Sequence, residues 1–544
     1  MQAELVLRGG RIFTGLEHRP FAFALAVEGG RVVAVGDESD VETGPRTRVI
    51  DLRGRLAVPG FHDAHTHLLG AGLVQDELSL LGARSAEECG ERVRERARSA
   101  PGEWVLGRGW DPDLFPEKAW PHRRVLDAAA PESPVLLFRR DGHAAWANAR
   151  ALELAGIRAE TQDPAHGRIL RDERGEATGI LLEEPAIALV RARVPVPSLE
   201  RRVRAAERGL SLASSLGVTS INDDASYDDR LEPGEVYTKV LERGKLTARV
   251  NLWQRLGRPI GELRAERDRL PRSTRLGYGL LKGFLDGSLG SRTALLHEAY
   301  CDGSGGTGAE PPHREAAGMQ LISEEELSAR VVEAHAKGFQ VGLHAIGDRA
   351  VALALDAFEA VARVHGAESL RAARHRIEHG QVFRPVDMAR AGVLGVVASV
   401  QPVHLASDMK IAVARLGVER CRTSYPWRTL LEVGAPLAFG TDYPVESLDP
   451  LRGLFCAVTR RDPDAPDDPA FGLRQRLTRE EALLAYTAGS AFAAHQERHL
   501  GRLVPGQLAD VAVLSEDIFA VPVSHLAQVR CELTLLEGEV VFER

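Results

Sequence analysis

Compact apolar runs recur through the middle of the chain, and each ends in polar residues. They are RLAVPGFHDAHTH, GVTSINDD, TARVNLW, GYGLLKGFLDG, FQVGLHAIGD, RHRIEHG, LGVVASVQP and PLAFGTD. Short apolar runs of this kind read as strands buried on both faces, as in a parallel sheet. Between several of them lie segments of helical periodicity, such as SEEELSARVVEAHAKG, where Ser323 is placed to cap the helix, and RAVALALDAFEAVARVHG. Eight strand–helix units predict an α/β fold of the (β/α)₈ TIM-barrel type over residues 57–485. The spacing breaks once, after the first run, where residues 70–210 are too many for a crossover helix and include the strand-like SPVLLFRRDGH. An inserted α/β subdomain over the barrel mouth is expected there.

The two ends of the chain have a different pattern. AELVLRGGRIFTG, FALAVEGGRVVAVG and TRVIDLRGRLAVPG place aliphatic residues beside glycine turns, and GQLADVAVLSED and CELTLLEGEVVFER return to that style. Residues 1–56 and 486–544 therefore predict one composite β-sandwich domain built from both termini. CDGSGGTGAEPPHREAAG (301–318) reads as a mobile loop.

Composition narrows the function. With 544 residues, 44% apolar and 27% charged, the chain reads as a folded globular protein of more than one ordinary core. A net charge of −8, with acids and bases interleaved, points to no nucleic-acid or membrane partner. The five cysteines are scattered without a CxxC pair, which argues against thiolate zinc sites and disulfides and for a reducing, cytoplasmic setting. The first residues lack the apolar core of a signal peptide, and no apolar run approaches the roughly 20 residues of a membrane span. A homodimer is expected only because two-fold assemblies are common.

Chemistry-bearing residues collect at the strand ends. His65 and His67 lie two apart on the first strand and share a face. His344 ends GLH, His379 ends RIEH and Asp442 ends AFGTD. In barrel enzymes functional groups stand at the C-terminal strand ends, so four agreeing positions make a metal-binding constellation. Lys282 sits inside an apolar strand in a chain rich in arginine and poor in lysine. Desolvation disfavours an ammonium ion, and a neutral amine can react with carbon dioxide to give a bridging carbamate. An ion pair with Asp286, four residues on, is the structural alternative. His335, mid-helix, has no assigned role, and His495 with His499 lacks a third ligand.

Taken in order, PGFHDAHTH, WVLGRGWDPD, RRDGHAAWANARAL, KGFLDGSLGSRTA, HAIGDRAV, RIEHGQ, SVQPVHLASD, GTDYPV and GRLVPGQLADVAVL resemble the amidohydrolase superfamily over essentially the full length. The similarity is to its amidohydrolase-3 branch, which includes hydrolases like N-substituted formamide deformylase and imidazolonepropionase. The resemblance implies a centre of one or two divalent ions, zinc foremost. His65 and His67 would bind one, His344 and His379 the second, Lys282 as N6-carboxylysine would bridge them, and Asp442 would close the site. His62 stands where the family usually has isoleucine. His143 is expected at the barrel mouth as an oxyanion donor or substrate contact. Trp110, Asp111, Asp286 and Gln401 are expected around the substrate, with Asp286 also able to orient a ligand or Lys282. His404 reads as a loop residue with a lesser claim to substrate contact.

The implied reaction is hydrolysis of a non-peptide C–N bond of a small molecule. A divalent ion lowers the pKa of water to roughly 7, and Asp442 takes the proton and returns it to the leaving nitrogen. An esterase or lactonase using the same chemistry, and a catalytically silent barrel serving in assembly, are the alternatives.

Overall fold

The computed structural model describes residues 3–302 and 315–544, so most of the loop expected at 301–318 lies outside the described residues. All eight apolar runs form the strands of one parallel sheet: β1 (Phe61–Thr66), β2 (Val218–Asp224), β3 (Arg249–Arg255), β4 (Leu276–Phe284), β5 (Val341–Ala345), β6 (Arg376–His379), β7 (Val397–Val400) and β8 (Leu437–Phe439). They pair in sequence order from β1 to β8. The ring is completed where the Asp442 N–H donates to the His65 carbonyl at 2.7 Å. The Asp63 carboxylate adds to this seam, accepting from the Thr441 N–H (3.0 Å) and hydroxyl (2.6 Å).

Helices cover the outside. Glu324–Ala336 begins as its sequence predicts: Ser323 Oγ accepts from the Glu326 N–H at 3.2 Å, with three glutamates in the first turn facing the positive end of the helix dipole. Among the described residues, no helix is long and apolar enough to cross a membrane.

The stretch after β1 carries its own six-stranded sheet, from Leu78–Ser79 to Ala177–Leu182. The helices Ala86–Ser99 and Arg124–Ala129 share an apolar cluster with it, and Ala149–Ala155 and Glu183–Arg191 share another. The helices Leu68–Val74 and Leu199–Ser215 belong instead to the barrel layer. They cross so closely that a Cβ at Gly72 would lie 2.1 Å from the Ala205 carbonyl oxygen. The expected limits of 70 and 210 thus fall inside barrel helices, because helical periodicity does not say which core a helix faces.

The two termini meet in one eight-stranded sheet that runs from Glu539–Glu543 through Val511–Leu514 and Leu56–Pro59 to Arg31–Gly36. Residues from 485 to 493 still pack on the barrel, with Ser490 Oγ donating to the Phe439 carbonyl at 3.0 Å.

Arg249, at the start of β3, joins barrel to terminal sheet. Its guanidinium grips Asp510 through two bonds (3.1 and 3.0 Å) and donates to Glu537 at 2.8 Å, with only 2% of its side chain exposed. Removing one partner of a buried pair strands the other charge, at about 3–5 kcal/mol. Arg249→Met is therefore expected to lower the urea midpoint of the transition that frees the terminal sheet. An unchanged midpoint would mean that the grip adds nothing to the joint.

Candidate metal centre

Four histidines converge at the C-terminal mouth of the barrel, and each has its Nδ1 engaged by a separate oxygen. His65 Nδ1 meets Glu378 Oε2 at 2.9 Å, and His67 Nδ1 meets the Asp224 carbonyl at 2.7 Å. His344 Nδ1 meets Asp286 Oδ1 at 3.0 Å, and His379 Nδ1 meets Gln401 Oε1 at 2.8 Å. An oxygen acceptor at Nδ1 assigns the proton there and leaves the Nε2 lone pair free. This is the arrangement by which outer partners aim histidines at a metal. The rings are close: centroids lie 5.0 Å apart for His65–His379 and 4.4 Å for His344–His379. Burial pushes the pKa values of His344 and His379 well below the ordinary value, so both imidazoles are neutral.

Asp442 faces them from the end of β8. Its Oδ1 lies 3.0 Å from His67 Nε2 and 3.6 Å from His65 Nε2, and its Oδ2 lies 3.3 Å from His404 Nε2. Desolvation would raise its pKa, but His404 and His67 hold the carboxyl well below the usual range. Both His379 (φ 73°) and Asp442 (φ 58°) adopt left-handed backbone, a strained conformation that collects at functional sites.

The donor set fits a divalent cation. Two groups of three bring one ligand atom each to within 4.8 Å of one another: His65, His67 and Asp442, and His379, His404 and Asp442. Asp442 Oδ1 and His404 Nε2 are buried without a hydrogen bond, polar atoms that an ion held by these groups would satisfy. His404, expected as a loop residue, thus joins the centre. His344 belongs to neither group, although its ring abuts His379.

Lys282 is 1% exposed, with Nζ 3.2 Å from His65 Nε2 and 3.3 Å from Asp224 Oδ2. The ion pair considered with Asp286 is absent. Asp286 is instead engaged by His344 and by the N–H groups of Leu295, Ile346 and Gly347.

His143 reaches the centre from the inserted subdomain, its ring 5.0 Å from that of His344. Its Nδ1 meets Glu183 Oε2 at 2.9 Å. Desolvation lowers the His143 pKa, but Glu183 and Asp141 outweigh it and push the value up to about 9, so the ring is cationic at neutral pH. Glu183 is buried with φ 63°, and Gly287 makes room for it: a Cβ there would lie 2.0 Å from Glu183 Oε1.

A cavity of about 890 Å³ opens over these groups. Asp111 lines it and accepts from Arg139 Nη2 at 2.7 Å. Trp110 does not line it. It is fully buried in the subdomain core, where its indole N–H donates to the Leu137 carbonyl at 2.9 Å. The strand register shifts between Arg108 and Trp110, at Gly109 with φ 106°, and this irregularity turns the indole inward. Asp286 and Gln401 also stand behind the histidines rather than beside the substrate space. His62 is buried, within 3.0 Å of Asn222 Nδ2, and desolvation with the charges of Arg376 and Arg249 lowers its pKa to about 3, a structural role.

Glu378, Asp224 and Glu183 escaped the sequence reading. The strand-end rule that selected Asp442 also applies to Asp224, which ends β2 in SINDD. Nothing in the sequence pairs Glu183 with His143, forty residues away.

Known proteins give the same answer. The profile of the Amidohydrolase family matches residues 48–542. The chain is 36% identical to Protein LONG AFTER FAR-RED 3 of Arabidopsis thaliana, over 94% of this chain and 87% of that protein. It is 28% identical to N-substituted formamide deformylase of Arthrobacter pascens, over 96% and 95% of the two chains. An uncharacterized metal-dependent hydrolase from Pyrococcus horikoshii superposes with a TM-score of 0.74 at 29% identity, covering 96% of this chain and 99% of that one. With this breadth of match around the histidine-lined barrel mouth, the chain belongs to the amidohydrolase family.

Proposed function

We propose that this protein is a zinc-dependent hydrolase that cleaves a C–N bond of a small amide. The observation that carries this reading is the set of four histidines, each fixed by its own Nδ1 partner, of which His65, His67 and His379 bring a ring nitrogen to Asp442 and His344 packs against His379. His65, His67 and Asp442 would hold one ion. His379, with His404 or His344, would hold a second, and Lys282 as a carbamate would add an anionic oxygen ligand beside His65.

A bound divalent ion supplies Lewis acidity and water acidic enough to lose its proton near neutral pH. Asp442 accepts that proton on its carboxylate and hands it to the leaving nitrogen. His143, cationic and steadied by Glu183, presents Nε2–H to the oxygen on which charge develops. Leu106, Leu136 and Phe138 line the cavity and keep bulk water from the reacting atoms. Amide cleavage is favoured over ester cleavage by the likeness to N-substituted formamide deformylase.

The test is elemental analysis of chelator-free protein together with rates on matched N-formyl amines and formate esters. Bound zinc and faster formamide turnover, both lost with a chelator and restored by zinc, are expected. Metal-free protein that stays inactive after zinc is added would overturn the reading.

A further inference from the structure

The buried guanidinium groups around the cavity are neutralised, with one exception. Arg139 is surrounded by Asp111, Asp113 and Asp141, and Arg415 pairs with Asp113 and Asp302. Arg191 pairs with Glu184, and Arg140 lies 2.6 Å from Glu446. Arg255 has no such partner but is exposed. Arg108 is half-buried and lines the cavity, yet among the described residues no carboxylate oxygen lies within 4.0 Å of it. Its Nη2 donates to the Arg140 carbonyl at 3.0 Å, so the guanidinium has a hydrogen-bond partner but no direct ion pair.

The setting of Arg108 says what would answer it. On the strand Val105–Trp110, Leu106 and Arg108 share a face, opposite Leu136 and Phe138 of the neighbouring strand, and all four line the cavity. Arg108 is thus a cation set in an apolar wall. It is also near the reacting centre. Its Nη2 would lie 3.4 Å from a Cβ on Gly142, the residue beside His143, whose ring touches His344. Burial pulls the pKa of Arg108 down, while Asp442, Asp141 and Glu77 lie close enough to hold the charge.

We propose that Arg108 is a specificity-determining residue that binds a carboxylate on the substrate, whose apolar portion lies against Leu106, Leu136 and Phe138. The substrate class is then amides carrying both an apolar or aromatic group and a carboxylate. A guanidinium fork matches a carboxylate with two parallel hydrogen bonds, and such a bond is strongest where water is excluded. This rests on the hydrolase reading above.

Two pairs of probes test it on the zinc-loaded full chain. Binding of hydrocinnamate and hydrocinnamyl alcohol is measured by calorimetry. Turnover of N-formylphenylalanine is compared with that of N-formylphenethylamine, which lacks only the carboxylate. The wild type is expected to prefer the acid of each pair by about 10- to 100-fold, the range of a charge-assisted hydrogen bond. Arg108→Met should erase the preference, with the acid of each pair losing far more than its neutral partner, and Arg108→Lys should keep part of it. Any carboxylate–metal attraction is common to all three proteins and cancels in the comparison. Equal losses for acid and neutral probe in Arg108→Met, as from a disturbed Arg140 loop, would overturn the proposal, and so would an intact preference. Turnover of both formamides without preference would sink it and leave the hydrolase reading standing. Arg108-dependent binding without any turnover would support the subsite and count against the hydrolase.

Discussion

Asp442→Asn is expected to lower kcat by about a thousandfold, or about 4 kcal/mol in the barrier, with a much smaller change in KM. The carboxylate is the only group at the end of β8 that faces His65, His67 and His404 together. Asparagine keeps its shape and an oxygen but can neither take a proton nor offer an anionic oxygen to an ion, so with zinc held in excess the substitution removes the transfer while sparing the geometry. Asparagine also tolerates the left-handed backbone that position 442 requires (φ 58°), so the fold should survive. The check is steady-state kinetics beside a thermal melt. A variant that folds and turns over near the wild-type rate would remove Asp442 from the proton path.

Lys282→Met is expected to cost about 100-fold in kcat/KM and to lower the metal bound per chain. Methionine roughly preserves the volume of a side chain that sits 5.5 Å from the Trp253 ring centre and 5.0 Å from that of Phe284, so packing is held nearly constant. What disappears is the amine that contacts His65 and Asp224. Lys282→Ala, which opens space, should regain part of its activity with a short carboxylate such as propionate, standing in for a carbamate. Intact mass of the gently handled wild type should carry the extra mass of one carbon dioxide. Unchanged metal content in both variants, with no added mass, would assign Lys282 to an ordinary ion pair with Asp224.

Much of this protein was legible without coordinates. Strand ends are short in sequence, and a buried parallel strand must be apolar throughout, so the eight runs announced the barrel, and the polar residues that close them announced the side chains gathered at its mouth. His65, His67, Asp442 and Lys282 meet as the order of the strands requires. An inserted sheet was likewise foreseeable from the length of chain after β1.

Only the tertiary structure decided which side chains complete the site. Trp110 left the pocket because a local shift of register at Gly109 reverses a side chain, and alternation along a strand cannot anticipate it. Gln401 and Asp286 moved behind the histidines because side chains beyond a strand end follow the loop and not the strand, and His404 moved to the front as the first residue of the helix His404–Cys421. Arg108, Glu183 and His143 come from a separate sheet laid over the barrel mouth, and no periodicity in one segment reports how another segment is laid against it. Local pattern determined the barrel and the histidines and aspartate that line its mouth, because backbone pairing and burial act through neighbouring positions. The charge balance of the cavity was decided by contacts between residues far apart in the chain.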